Sequence, residues 1–146
     1  MERASIFVLD ASVAVKWYSE EKHRDIALDV RRDYMDGRID LVAPGLLLYE
    51  VGNAVRFHPG ASETEARKAL RALAKMQITT PDLDESVTDT ATRIAFTEEI
   101  TLYDAVYLAL AKDEGTKVIT ADEALYNKLK ESRNLLILLK DYGSRR

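Results

Sequence analysis

Short, strongly apolar runs that end at or just before an aspartate constrain the fold of this chain more than any other feature. Ile6-Phe7-Val8-Leu9 leads into Asp10, and Lys117-Val118-Ile119-Thr120 is followed by Asp122. Runs this short and this apolar suit strands buried on both faces, which occur in parallel sheets covered by helices. Leu41-Val42-Ala43 before Pro44 and Leu135-Leu136-Ile137-Leu138-Leu139 read as further strands, and Ile78-Thr79-Thr80 before Pro81 as another candidate. Helical patterns separate the strands, and parallel strands need such crossovers. The expected class is therefore α/β, a three-layer α/β/α sandwich with a short-stranded, mainly parallel central sheet.

The helical segments carry their own signals. A helix is expected to begin in Ala11 to Tyr18, with Asp10 or Ser12 near its start. Arg24 to Asp36 reads as a solvated helix stopped by Gly37. Gly45 to Phe57 is apolar on most sides, which predicts a largely buried helix containing Glu50. Ser62-Glu63-Thr64-Glu65 has the spacing of a capping box before an amphipathic helix. Helices are expected over Asp84 to Glu99, over Tyr103 to Lys112 with a stop near Gly115, and over Glu123 to Lys130. No repeat, linker or low-complexity stretch interrupts the 146 residues, of which 47% are hydrophobic, so one domain over 1–146 is expected.

Composition removes several chemistries. The chain has no cysteine, which excludes disulfides, thiolate metal sites and cysteine nucleophiles and agrees with a cytoplasmic location. No run approaches the roughly 18 apolar residues of a membrane span, and the opening Met-Glu-Arg-Ala-Ser lacks the layout of a secretion signal. A net charge of −4 neither supports nor excludes a nucleic-acid substrate, because a local basic patch suffices for one.

Four acids stand out: Asp10 and Asp122 after strands, and Glu50 and Asp104 on apolar helices. A desolvated carboxylate must be paired, protonated or bound to a cation. Two carboxylates about 4.5 Å apart repel by roughly 4 kcal/mol at an effective dielectric of about 20, so a group of four asks for a metal. In open parallel sheets the ligand crevice lies beyond the carboxyl ends of the strands, where Asp10 and Asp122 fall. Each also has a plainer reading as a helix cap, and Thr101-Leu102-Tyr103-Asp104 fits a capping box. Glu50 resists that reading, because it sits mid-helix with Asn53 nearly one turn on, leaving a structural ion pair as its alternative. Ser12 and Thr120 flank the two aspartates and are placed to orient carboxylates or hold metal-bound water, although Thr120-Ala121-Asp122-Glu123 makes Thr120 a candidate cap. An all-oxygen donor set suits Mg²⁺ or Mn²⁺ better than Zn²⁺, and His23 and His58 lie outside any cluster.

Val8-Leu9-Asp10-Ala11-Ser12, Leu48-Tyr49-Glu50-Val51-Gly52-Asn53, Tyr103-Asp104-Ala105-Val106-Tyr107-Leu108-Ala109-Leu110-Ala111 and Ile119-Thr120-Ala121-Asp122 together resemble the PIN-domain family, especially the VapC toxins of prokaryotic toxin–antitoxin pairs. The resemblance spans nearly the whole chain. It implies four catalytic acids at Asp10, Glu50, Asp104 and Asp122, with Asp10, Asp104 and Asp122 on the metal and Ser12, Asn53 and Thr120 in support. It further implies an Mg²⁺- or Mn²⁺-dependent endoribonuclease, a homodimer, and a cognate antitoxin whose peptide lies in a groove of the N-terminal helices. RNA phosphate and base contacts would draw on residues such as Lys16, Arg56, Lys112, Trp17 and Tyr103.

Two enzyme or signalling classes with acids at strand ends fit less well. A haloacid-dehalogenase-type phosphohydrolase normally has a second aspartate two residues after the first, where this chain has Ser12. A receiver-type domain needs an aspartate at the end of a middle strand, and Leu41-Val42-Ala43-Pro44 supplies none. The remaining rival is a PIN-like module that binds RNA or a partner without cutting.

Overall fold

The computed structural model describes residues 4–143. The start of the opening segment read for a secretion signal and the last three residues of the expected domain lie outside them. Four strands, β1 (Ser5–Leu9), β2 (Ile39–Val42), β3 (Val118–Thr120) and β4 (Leu136–Leu138), form one sheet in the order β2-β1-β3-β4. Every pair is parallel, with Phe7 opposite Leu41, Leu9 opposite Ile119 and Ile119 opposite Ile137.

Strand side chains alternate between two cores, as the pleat requires. Phe7, Leu9, Leu41, Ile119 and Ile137 enter one. That core also holds residues of α1 (Ala11–Ala14), α2 (Arg24–Met35), α3 (Leu46–Arg56), α4 (Glu63–Lys75) and α8 (Leu139–Tyr142). Val8, Val42, Val118 and Leu136 face the other, against α5 (Glu85–Glu98) and α6 (Leu102–Glu114). Helices on both faces of a parallel sheet make the expected three-layer sandwich. A short helix, α7 (Glu123–Lys128), lies between β3 and β4.

Strand order positions the crevice. The chain leaves β1 for β2 on one side, then adds β3 and β4 on the other, so the winding reverses between β1 and β3. Adjacent crossovers diverge there and leave a gap at the carboxyl ends. Asp10 follows β1, and Asp122 lies two residues past the end of β3.

Several expectations need correction. Thr79 makes only an isolated parallel bridge to Val42, because the run is short and Pro81, lacking an N–H, cannot extend a ladder. The last apolar run forms a strand only at its centre; Leu135 ends a 3₁₀ turn and Leu139 starts α8. The first helix tightens into a 3₁₀ turn over Val15–Trp17. The helix over Leu46–Arg56 is not buried on most sides. It buries the single stripe Leu47, Val51 and Val55, leaving Leu48 39% and Tyr49 79% exposed, because α1 and α4 cover only part of its circumference. Gly52 belongs to that packing: a Cβ there would stand 3.2 Å from Leu70 Cδ1, so its absence lets α4 come close. Elsewhere the caps are as expected. Ser62 accepts from Glu65 N–H at 3.1 Å, and Gly115 closes α6 at φ 68°.

Candidate active site

Asp10 is placed by backbone. Its N–H donates to Ile119 O at 3.1 Å, and its carbonyl accepts from Val13 and Ala14, so it begins α1 while holding β1 against β3. Its carboxylate makes no full capping bond to α1, although the Ser12 backbone N–H faces it and favours its charge. Instead Oδ2 accepts from Ser12 Oγ, and from Thr120 Oγ1 at 2.8 Å. The two hydroxyls give their protons to the acid and accept backbone N–H groups in turn. Ala121 N–H donates to Ser12 at 2.9 Å and Asp122 N–H to Thr120 at 3.1 Å. Two chains of hydrogen bonds thus stitch the ends of β1 and β3 together across the switch point.

Thr120 is therefore not a helix cap. It is fully buried on β3, and the cap of α7 is Asp122, whose Oδ1 accepts from Leu125 N–H at 2.9 Å. For Asp122 the capping reading is realised, with part of its carboxylate committed to α7. Asp104 stands in the first turn of α6, where its N–H donates to Thr101 Oγ1 at 3.1 Å as the capping spacing requires. Glu50 projects from α3 and accepts from the Tyr107 hydroxyl at 2.6 Å.

The four acids share one field. Burial pushes the Asp10 carboxyl above the usual carboxylate range against its hydroxyl donors, and the Asp104 charge adds to the rise. Glu50 is raised by burial, opposed by the Tyr107 hydrogen bond and assisted by Asp10 and Asp104. Asp104 is raised by burial and by Asp122, with Thr101 and Lys128 pulling the other way. Tyr107 is also pushed up, by burial, by Asp10 and by its bond to Glu50, so its hydroxyl remains a donor.

The donors near these carboxylates are oxygens, which fits a hard divalent cation in chemistry. The acids are coupled pairwise, and among the described residues no three of them close into a group that could hold a metal.

Other candidates scatter. Asn53 is exposed on α3 with no hydrogen bond to Glu50 among the described residues. His58 Nδ1 lies 3.0 Å from Pro59 O, in a loop, and His23 precedes α2. Lys16 is buried with Glu21 at 3.6 Å, and Trp17 donates Nε1–H to Ala27 O at 2.7 Å, so both serve the core. Arg56 lies over the Phe57 ring, and Lys112 sits in the last turn of α6, far along the helix from Asp104. Tyr103 alone of that set flanks an acid, 67% exposed beside Asp104. Sequence reading missed Tyr107; its one signal was a hydroxyl within the apolar run Ala105–Ala111 of α6, three residues after Asp104. It also missed Lys128, whose charge reaches Asp104.

Fold and site together define an α/β/α protein with an acid-lined crevice at its switch point. The pattern of the PIN domain family matches residues 7–130, and the chain belongs to that family. It is similar to a protein of Pyrobaculum aerophilum named Exonuclease VapC9, 30% identical over 94 residues that make up 64% of this chain and 71% of that one. It is also similar to the crystal structure of PAE2754 from Pyrobaculum aerophilum. The TM-score is 0.64 and the identity 24%, with 97% of this chain and 94% of that one covered, which shows the shared fold. The VapC type of PIN protein is thereby supported.

Proposed function

We propose that the protein is an endoribonuclease that hydrolyses RNA phosphodiesters with Mg²⁺ or Mn²⁺, acting as the toxin of a VapBC-type pair. Membership of the PIN family and the VapC relative support the nuclease part of this reading. The observation that carries the metal is the tethering of Asp10 and Glu50 by neutral hydroxyls rather than by cations, with Asp104 near enough to raise both.

Asp10, Asp104 and Asp122 would hold the cation, with Ser12 and Thr120 fixing the rotamer of Asp10 through Oδ2. When bound, the cation supplies Lewis-acid stabilisation of charge developing on the phosphate and eases ionisation of water. Glu50, tethered through Oε1, presents its other oxygen to orient the attacking water. Tyr103, exposed next to Asp104, offers a face on which an unpaired base can stack.

The antitoxin reading has its own support. A cavity of about 570 Å³ opens between the 3₁₀ turn, the end of α3 and α4, lined by Tyr18, Val55, Pro59 and Ala69. The Tyr18 hydroxyl is buried there without a hydrogen-bond partner among the described residues. An antitoxin segment would cover this groove, and an Arg from it would suit the acidic crevice. A homodimeric, cytoplasmic protein made of one domain completes the proposal.

Two observations favour other readings. The relative's name, exonuclease, favours attack from a free end. The lack of a ready-made group of three ligands among the described residues favours a module that binds without cutting. One experiment separates all three: antitoxin-free protein is incubated with linear and circular single-stranded RNAs in Mn²⁺, in EDTA, and as the Asp10→Asn variant. Metal-dependent cutting of the circle, lost in the variant, supports the endonuclease. Cutting of linear RNA alone points to the exonuclease, and no cutting with no Mn²⁺ binding by calorimetry overturns catalysis.

A further inference from the structure

We propose that Tyr107 is the positioning residue of Glu50, a buried hydroxyl that holds one carboxylate oxygen so that the other faces the crevice. Tyr107 is 3% exposed in the middle of α6, a helix whose buried face is otherwise Ala, Val and Leu. A phenol among such neighbours needs a partner for its hydroxyl, and a phenylalanine would satisfy the packing without one. The partner it has is Glu50 Oε1, at 2.6 Å across 57 residues of sequence. The backbone N–H of Ala11, directly after Asp10, faces the same phenol oxygen. The hydroxyl is thus held from the end of β1 and in turn holds an acid on α3. This tie runs through α6, the helix that also carries Asp104.

The same device recurs at the other acids. Asp10 is held through Oδ2 by the hydroxyls of Ser12 and Thr120, and Asp104 lies against the hydroxyl of Thr101. Each neutral hydroxyl fixes a rotamer without adding a charge that would cancel the site's demand for a cation. Glu50 differs in that its single tether comes from a residue 57 positions away, with no second hydrogen bond among the described residues. Loss of that contact removes the one hydrogen bond that fixes its rotamer.

The positioning rests on the contact alone; its part in the reaction rests on the nuclease reading above. The test uses Tyr107→Phe, which keeps the buried ring, together with Glu50→Ala and the double variant. The first readout needs neither metal nor RNA: the side-chain carboxyl carbon resonance of Glu50, observed by NMR. We expect one sharp resonance in the native protein, and a shifted or exchange-broadened one in Tyr107→Phe at unchanged circular dichroism. An unchanged resonance overturns the proposal. The second readout is Mn²⁺ affinity by calorimetry and kcat against KM on RNA. Affinity or kcat should fall about 10- to 100-fold in Tyr107→Phe with KM held, the usual scale for a group that orients a metal-site residue. In a Glu50→Ala background the same change should have no further effect. Equal losses in both backgrounds would show a packing effect and overturn the assignment. A lost Glu50 conformer in a protein that neither binds Mn²⁺ nor cuts RNA would leave the positioning intact and sink the nuclease reading instead.

Discussion

Two sets of carboxylates in this molecule meet burial in opposite ways. Glu98, at the end of α5, is 5% exposed, and its two oxygens accept from the backbone N–H groups of Lys130, Glu131 and Ser132 at 2.9 to 3.3 Å. Burial works against its charge, yet the N–H groups of Ser132, Lys130 and Glu131 outweigh it and hold its pKa below the usual range. At Asp10, Glu50 and Asp104 burial outweighs the few hydroxyl donors and neighbouring carboxylates add to it, so theirs rise. Depth of burial does not decide the role of an acid. What decides it is whether the fold supplies enough donors: Glu98 is complete and structural, and the crevice acids are the ones the proposed function gives to a cation.

The largest expected separation between the two sets is in activity. Asp10→Asn should lower RNA cleavage roughly 10²- to 10³-fold, while Glu98→Ala should leave cleavage per folded molecule unchanged, as read by single-turnover kinetics at 20 °C. The reverse should hold for stability. Glu98→Ala strips the acceptors from three backbone donors at a cost of about 3 kcal/mol, which lowers Tm by roughly 6–12 °C. Asp10→Asn removes a repelled charge, so the metal-free Tm should stay level or rise; a fall as large as that of Glu98→Ala would end the contrast.

Cation binding gives a somewhat smaller effect. Mn²⁺ at about 100 times its Kd should stabilise the native protein by roughly 2.7 kcal/mol, or about 5–10 °C in Tm by scanning calorimetry. Glu98→Ala should keep this increment and Asp10→Asn should lose it. The smallest effect is on pH dependence. The crevice acids have raised pKa values, so their contribution to metal-free stability is present below the ordinary carboxylate range and is lost as pH rises through the raised values. Glu98, with a lowered pKa, contributes above the ordinary range and loses that contribution as pH falls through the lowered value. Urea titrations in EDTA should therefore show Asp10→Asn flattening the loss of stability on the alkaline side, and Glu98→Gln flattening the loss on the acid side.

Much of this was legible before any coordinates. The apolar runs at 6–9 and 117–120, the helical patterns between them and the acids at their ends suffice for a parallel sheet with a crevice between Asp10 and Asp122. Local chemistry read Ser62, Thr101, Gly37 and Gly115 correctly as stops and caps, because those signals act within a few residues. The capping alternative for Thr120 failed for the same reason. Its capping spacing is local, but a partner 110 residues away, Asp10, claims the hydroxyl.

The alternation of apolar and acidic residues along the chain is enough to specify strands, helices and the layer architecture. Only the tertiary structure decided which acids are satisfied. Glu98 shows no sequence feature that separates it from Glu99, and Tyr107 none that ties it to Glu50. Hydrogen-bond donors and like charges act over a few ångströms in space, and the distances between residues far apart in the chain exist only once the sheet order and helix packing have brought them together.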